Sequence, residues 1–304
     1  MSETRRGFWY GFGAYFLWGV FPLYFPLLEP TGAIEVLAQR ILWSLAFVAV
    51  LLMMTRGWSR VRAVVADRRR LRFVAVGSVL IAVNWGVFIW AVLNEHVLES
   101  SLGYFINPLV LIFLGVAVLG ERLRRTQWIA IALAAAAVVA LTVEHGRLPW
   151  VALTLAFSFG TYGLMKKKAG VGAVEGLALE TMLLAPLALA YIGWAEFDGS
   201  AVFGHEGAAN MLLLAGAGAI TATPLLLFGG AATRVSLTTL GLLQYIAPTM
   251  HFFLGIVVFG ETMTTGRWLG FILVWLALAI LTAESMLHHR HPVPRRVDVE
   301  PATS

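Results

Sequence analysis

The sequence predicts an all-α polytopic membrane protein, with ten transmembrane helices in two inverted five-helix repeats and both termini cytoplasmic. Three observations lead there. The first is composition. Of 304 residues, 59% are hydrophobic and 13% charged, against about 25% charged in a soluble domain. Mean hydropathy is +0.81. Too little polar surface remains to cover a globule in water. The second is an internal repeat. Shifted by 140 residues, Pro108, Phe113, Leu114, Gly115, Val118, Gly120, Glu121 and Trp128 fall on identical residues from Pro248 to Trp268. The same shift lays 32–38 on 172–178 with five of seven positions identical. One offset for two separate blocks, in an apolar chain, points to a duplicated half. The third is the placement of Lys and Arg, taken up once the spans are set.

A spanning helix needs about 20 mostly apolar residues. Ten such runs lie near 8–28, 33–55, 72–93, 99–119, 126–143, 149–165, 174–194, 209–230, 237–259 and 266–286. The fifth and sixth are short and closely joined. The turn-forming, charged separator at 144–149 makes them two helices. The first run is too long for a signal-peptide core and is read as helix 1. The repeats then occupy 1–145 and 146–287. A polar, Pro-rich tail at 288–304 is expected to be disordered and cytoplasmic. Its His288, His289 and His291 have no carboxylate or cysteine at ligand spacing, so no metal site is expected.

With the N-terminus inside, 19 of the 22 Lys and Arg fall in cytoplasmic segments. Seven of them lie between Arg56 and Arg72, and three are Lys166, Lys167 and Lys168. Only Arg147 and Arg267 fall outside, and Arg40 lies within a helix. The positive-inside rule sets the orientation, and reads the net charge of +5 as membrane topology, with no nucleic-acid partner. Five helices per repeat is odd, so the second copy enters from the opposite side.

Polar groups inside a bilayer cost free energy unless paired or hydrated, which makes them the functional candidates. Arg40 and Glu180 are the same position at the 140 offset. One role for them is a structural ion pair locking the halves, or a snorkelling Arg. The other is a substrate clamp with Glu180 as proton carrier. Around them stand rings and amides: Trp18, Asn84, Trp85, Tyr104, Asn107, Tyr162, Gln244 and Tyr245. Amides beside ring faces suit an organic solute with polar and flat apolar parts. Aromatic residues also mark membrane interfaces, and amides also hydrogen-bond between helices. Pro108 and Pro248 each remove a backbone hydrogen bond within a span, freeing the carbonyls of Tyr104 and Gln244. Matched breaks in both halves point to a midplane site. Pro22 and Pro224 are expected to bend helices 1 and 8. No HExxH, GxSxG or Walker A pattern occurs, so neither those catalytic chemistries nor an intrinsic ATP-driven pump is expected. No cofactor is expected.

Six sets of motifs stand out: Ser101-Leu102-Gly103-Tyr104-Phe105-Ile106-Asn107-Pro108-Leu109 with Leu119-Gly120-Glu121-Arg122; Gln39-Arg40-Ile41-Leu42-Trp43-Ser44; Asn84-Trp85 with Phe88-Ile89-Trp90-Ala91; Ala156-Phe157-Ser158-Phe159; Leu179-Glu180-Thr181; and Thr238-Thr239-Leu240-Gly241 with Gln244-Tyr245-Ile246. In these the sequence resembles the RarD-type transporters of the EamA branch of the drug/metabolite transporter superfamily. The resemblance covers nearly the whole chain except the tail. It implies ten helices in two inverted EamA repeats, a central cavity and an inner-membrane location. The family name is tied to chloramphenicol sensitivity, and related members resemble exporters of amino acids or other metabolites. Gln39 stands where the family pattern has His, which weakens a proton role for that neighbour of Arg40.

The expectation is a secondary transporter, an exporter of small organic solutes such as amino acids, metabolites or drugs, working by alternating access. Its partners would be a small-molecule substrate, the lipid bilayer and protons as coupling ion. The ten polar and aromatic residues above would line the site, and Pro22, Pro108, Pro224 and Pro248 would serve gating. A passive channel or uniporter, and a non-transporting receptor or assembly subunit, are the alternatives.

Overall fold

The computed structural model describes residues 2–119, 124–235 and 237–289. Gly120, Glu121 and Arg122, and the predicted disordered tail beyond His289, lie outside the described residues; residues 288 and 289, expected to begin that tail, instead close the last helix. Twelve α-helices are present among the described residues: α1 (Glu3–Tyr24), α2 (Ala33–Met54), α3 (Trp58–Ala66), α4 (Arg68–Leu93), α5 (Val97–Leu119), α6 (Arg125–His145), α7 (Trp150–Ala169), α8 (Ala173–Asp198), α9 (Gly207–Ala232), α10 (Leu237–Leu243), α11 (Ile246–Val257) and α12 (Thr265–His289). Within those residues, nine helical segments are long and apolar enough to cross a membrane. The helix α7 is not in that group; its last turn holds Lys166, Lys167 and Lys168.

The chain is organised inside out. Large apolar side chains such as Met54, Val143, Leu187 and Phe197 are exposed on the outside, while Glu35, Arg40, Asn84, Glu180 and His251 are buried. An apolar exterior of this extent suits hydrocarbon as solvent, and helices satisfy their own backbone there.

The predicted spans correspond to helices, with two differences. The nine-residue α3 is not foreseen. It is too short to span, and it buries Val61 and Val64. Asp67 then starts α4 four residues before the predicted span, accepting from the backbone N–H of Arg69 and Arg70 at 2.9 and 3.1 Å. Its carboxyl is held below the usual range, first by the Arg70 backbone bond. The second difference is the run at 237–259, which divides into α10 and α11 at Gln244–Tyr245.

Packing pairs helices from the two ends of the chain. The helix α1 lies on α9 and α11, α7 lies on α4 and α5, α2 on α8, α6 on α12, and α5 on α11. Helix association in lipid lacks a hydrophobic drive and relies on close approach at small residues. Gly218 of α9 sits against the backbone of α2, where an added Cβ would collide with the Trp43 carbonyl. Gly103 of α5 meets α7 the same way, its Cβ position 2.7 Å from the Ala152 oxygen.

Carboxylates tie the ends of these pairs. Glu35 in the first turn of α2 accepts from the N–H groups of Val202 and Phe203, after α8, at 3.1 and 2.9 Å. Glu175 in the first turn of α8 pairs with Arg60, after α2. Glu284 near the end of α12 accepts from Arg124 and Thr126 at the start of α6. Glu144 near the end of α6 lies against Gly266 at the start of α12. Glu261, ahead of α12, accepts from the Leu98 N–H at the start of α5 at 3.0 Å. A helix N-terminus offers unpaired donors and positive dipole, so each carboxylate there is favourably placed.

Two outcomes follow. Gly218→Ala should cost about 1–3 kcal/mol by overpacking, read as a lowered thermal midpoint in detergent, while Gly216→Ala, facing only the Tyr24 hydroxyl at 3.7 Å, should stay near wild type. Burial pushes the Glu261 carboxyl up to about 7, against the opposing pull of the Leu98 bond and Arg267. The folded state therefore holds this proton more tightly than the unfolded chain. Stability should fall as pH rises from about 4.5 to 7 and level off above. Glu261→Gln should flatten the thermal midpoint across that interval.

Candidate functional site

The interior of the bundle gathers most of the predicted residues into three linked groups. Arg40, on the second turn of α2, is 4% exposed. Its Nε donates to the Thr221 hydroxyl of α9 at 2.7 Å. Its guanidinium carbon lies 4.3 Å from the centre of the Trp85 ring and 5.5 Å from that of Phe21. Nη1 is buried without a hydrogen-bond partner. The hydroxyls of Tyr24 and Tyr104 lie within electrostatic range, and no carboxylate pairs with Arg40 among the described residues. A cation over aromatic faces is stabilised by the ring quadrupoles, yet one donor stays unmet.

The second group centres on Asn84 of α4. Its amide donates to the Leu155 carbonyl and the Ser158 hydroxyl, each at 3.1 Å, and its oxygen accepts from Tyr104 at 3.1 Å. Tyr104 packs edge-on to Phe88 and Phe159. Asn107, one turn along α5, is buried with its side-chain oxygen unpartnered. The third group is Glu180 of α8, which is 1% exposed. It accepts from the Tyr162 hydroxyl at 3.1 Å and from Lys166 Nζ at 3.0 Å. Lys166 comes from the last turn of α7, and its long side chain brings the charge to the buried carboxylate.

The structure does not pair Arg40 with Glu180. The helices α2 and α8 run antiparallel, as the Glu35–Val202 and Glu175–Arg60 contacts show. Each residue lies seven positions beyond the first residue of its helix, about 10 Å along it at 1.5 Å per residue. The matched positions therefore sit at different levels of the bundle. Glu180 has a nearer partner in Lys166.

The expected matched breaks also differ. The helix α5 continues through Pro108 and α9 through Pro224. In the second half the break precedes Pro248, which then occupies the first turn of α11, where a missing N–H costs no intrahelical bond. The segment before it contains Thr239 and Gly241, poor helix formers. The Pro248 carbonyl accepts from Ser101 at 2.7 Å. Pro22 lies inside α1 and frees the Trp18 carbonyl, and His251 Nε2 lies 3.1 Å from that oxygen and donates to it. The Trp18 ring rests against Tyr15 and Phe228. Tyr245 stands apart from the three groups, stacked on Phe105 beside α12, with Gln244 next to it at the α10–α11 break.

Three contributors are absent from the sequence-based set. Lys166 reads there only as a cytoplasmic charge. Thr221 gives no sequence signal. His251 is 2% exposed, stacked on Phe88 with centroids 5.2 Å apart, and its Nδ1 is unpartnered. A lone His in the apolar run of α11 was available as its signal.

Lipid-length helices exposing apolar flanks and sealing an incompletely paired cation at their centre make a polytopic membrane protein built around a polar interior. Residues 5–143 match the model of the EamA-like transporter family. The chain is 53% identical over 285 residues to Protein RarD of Streptomyces exfoliatus, covering 94% of this chain and 90% of that protein. It is 43% identical over 289 residues to Protein RarD of Escherichia coli (strain K12), covering 95% and 98%. A solved crystal structure at 17% identity shares the fold with a TM-score of 0.60, covering 92% of this chain and 98% of that one. The chain belongs to the EamA family, as a RarD-type membrane transporter of the multi-pass inner-membrane class.

Because Arg40 has one hydrogen bond and no counter-ion among the described residues, Arg40→Met should leave the fold as stable as wild type or more so. Replacing a buried charge by an apolar group of similar volume is neutral or stabilising in many proteins. Thermal unfolding in detergent reads this, and a midpoint well below wild type would assign Arg40 a structural role.

Proposed function

We propose that the protein exports small organic solutes, such as amino acids, metabolites or drugs, by alternating access around Arg40. The observation that carries this reading is the buried, unpartnered Nη1 of Arg40 between the Trp85 and Phe21 rings. Such a donor suits a substrate carboxylate, with the rings covering its apolar part. Asn84 and Tyr104 adjoin this place, and Asn107 offers a free amide oxygen. Trp18, Tyr162 and Glu180 complete the proposed lining, while Gln244 and Tyr245 stand apart from it at the α10–α11 break, with Pro22, Pro108, Pro224 and Pro248 as points of bending.

The architecture we attach to this function is ten spans in two inverted repeats, 1–145 and 146–287, with cytoplasmic termini and a cytoplasmic tail at 288–304. The 140-residue offset and the Lys/Arg distribution support it. So do the reciprocal contacts: α1 on α9 with α7 on α4, and Glu35 beyond α8 with Glu175 beyond α2. The buried state of Arg40, Asn84 and Glu180 fits a closed stage of the cycle.

A second reading concerns energy. Glu180 is bound by Lys166 and Tyr162. Protonation of Glu180 would release Lys166, an exchange that a proton gradient could drive.

The test is flux in liposomes with an amino-acid and drug panel. Saturable transport by wild type and at least a tenfold loss in Arg40→Met are expected; folded wild-type protein that moves no member of the panel contradicts the export reading. Glu180→Gln with unchanged dependence on a pH gradient removes Glu180 as the proton carrier.

A further inference from the structure

Away from the central site, a groove of about 570 Å³ opens between α4 and α8. Arg68, Leu71, Arg72 and Ala75 line it from α4, and Leu183 from α8. The four α4 residues follow helical spacing of three and four, so they form one face. Arg68 and Arg72 are exposed at the start of α4. Neither guanidinium has a carboxylate partner among the described residues. The nearest acidic residue in sequence, Asp67, is occupied by the N–H groups of Arg69 and Arg70 and by the Arg70 side chain at 3.4 Å. Below the arginines the groove is apolar. Val76 and Val79 on α4, and Leu183 and Leu187 on α8, are 50%, 60%, 41% and 70% exposed, which places this flank toward the lipid.

We propose that this groove is a binding site for an anionic phospholipid. The phosphodiester oxygens would be held by the forked donors of Arg68 and Arg72, which match phosphate geometry in pairs. One acyl chain would lie along Leu71, Ala75 and Leu183. The arrangement is that of a phospholipid itself, charge at one end and hydrocarbon below. Two unpaired cations favour a headgroup of net negative charge, because a zwitterionic headgroup brings its own cation against them. The Lys/Arg distribution puts this end of α4 at the cytoplasmic face, so the lipid is drawn from the inner leaflet. Three other basic residues at this end are already engaged. Arg60 is held by Glu175, Lys166 by Glu180, and Lys168 lies 5.9 Å from the centre of the Phe73 ring.

Native mass spectrometry of the full chain in neutral detergent, with equal amounts of dioleoyl phosphatidylglycerol and dioleoyl phosphatidylcholine, tests this. Wild type should retain the phosphatidylglycerol preferentially. Losing even one charge-assisted bond to the phosphate corresponds to about a tenfold loss, so Arg68→Gln with Arg72→Gln should lose retention by at least that factor. A control with the same change of charge, Arg56→Gln with Arg62→Gln, should retain it within about threefold, since general attraction falls only modestly when the site remains. Leu183→Trp, which fills the groove and keeps the charge, should also lose retention. Equal loss in the control pair means a diffuse attraction and overturns the site. So does wild-type retention in either the arginine pair or Leu183→Trp. None of these readouts uses transport, so the export reading stands or falls separately.

Discussion

Hydrocarbon supplies no hydrogen bonds, and that constraint shapes every level of this chain. Helices are the form that closes the backbone on itself within lipid. Their ends are the remaining liability, since the first N–H groups of each helix have no intrahelical partner. Here carboxylates far away in sequence supply partners: Glu261 takes the Leu98 N–H of α5 and Glu99 the Val151 N–H of α7, while Glu284 holds the start of α6 through the Arg124 and Thr126 side chains. One set of side chains therefore satisfies helix ends and fixes which helices are neighbours. Where no side chain intervenes, glycine lets backbones touch, as Gly218 does on α2.

The same constraint separates the two interior charges. An isolated charge at bilayer depth costs about 2.5–3.5 kcal/mol on insertion scales. Glu180 meets that cost with an ion pair and a phenol, and is fully occupied. Arg40 meets it with one hydroxyl and a desolvated ring face, worth about 2 kcal/mol or more. The two effects are of similar size, so Arg40 is tolerable but not complete. That incompleteness distinguishes a group available to a ligand from one committed to the fold.

Much of the architecture was legible because apolar length and turn chemistry map directly onto helices in lipid. Among the described residues nine segments are long and apolar enough to span, the run at 149–165 is helix α7, outside that set, and the run at 237–259 is broken into α10 and α11. What failed was distance information. Arg40 and Glu180 are equivalent by the 140-residue offset, but α2 and α8 run antiparallel, so the same distance from each helix start leaves the two residues at different levels. Lys166 was hidden by its long stem, which carries a charge from a helix end into the bundle. The division between α10 and α11 depended on Thr239 and Gly241 as much as on Pro248, and the proline alone drew attention. Asn84, Tyr104, Trp85 and Tyr162 were recognisable because polar and ring groups are scarce in such runs. Thr221 was not, since a threonine normally bonds within its own helix, as this one does to Ala217.

The carbonyl of Trp18 is released by Pro22 and taken by His251. A bend normally belongs to the helix that contains the proline. This one is shared property: the oxygen that would have stiffened α1 is instead a rivet into α11, next to the contact of Gly19 with Met250. Any sliding of α1 against α11 at that height must strip a bare carbonyl in a dry interior or drag the imidazole with it. The two helices are thus geared together at one tooth, and the direction in which α1 can swing is dictated by a residue more than two hundred positions away.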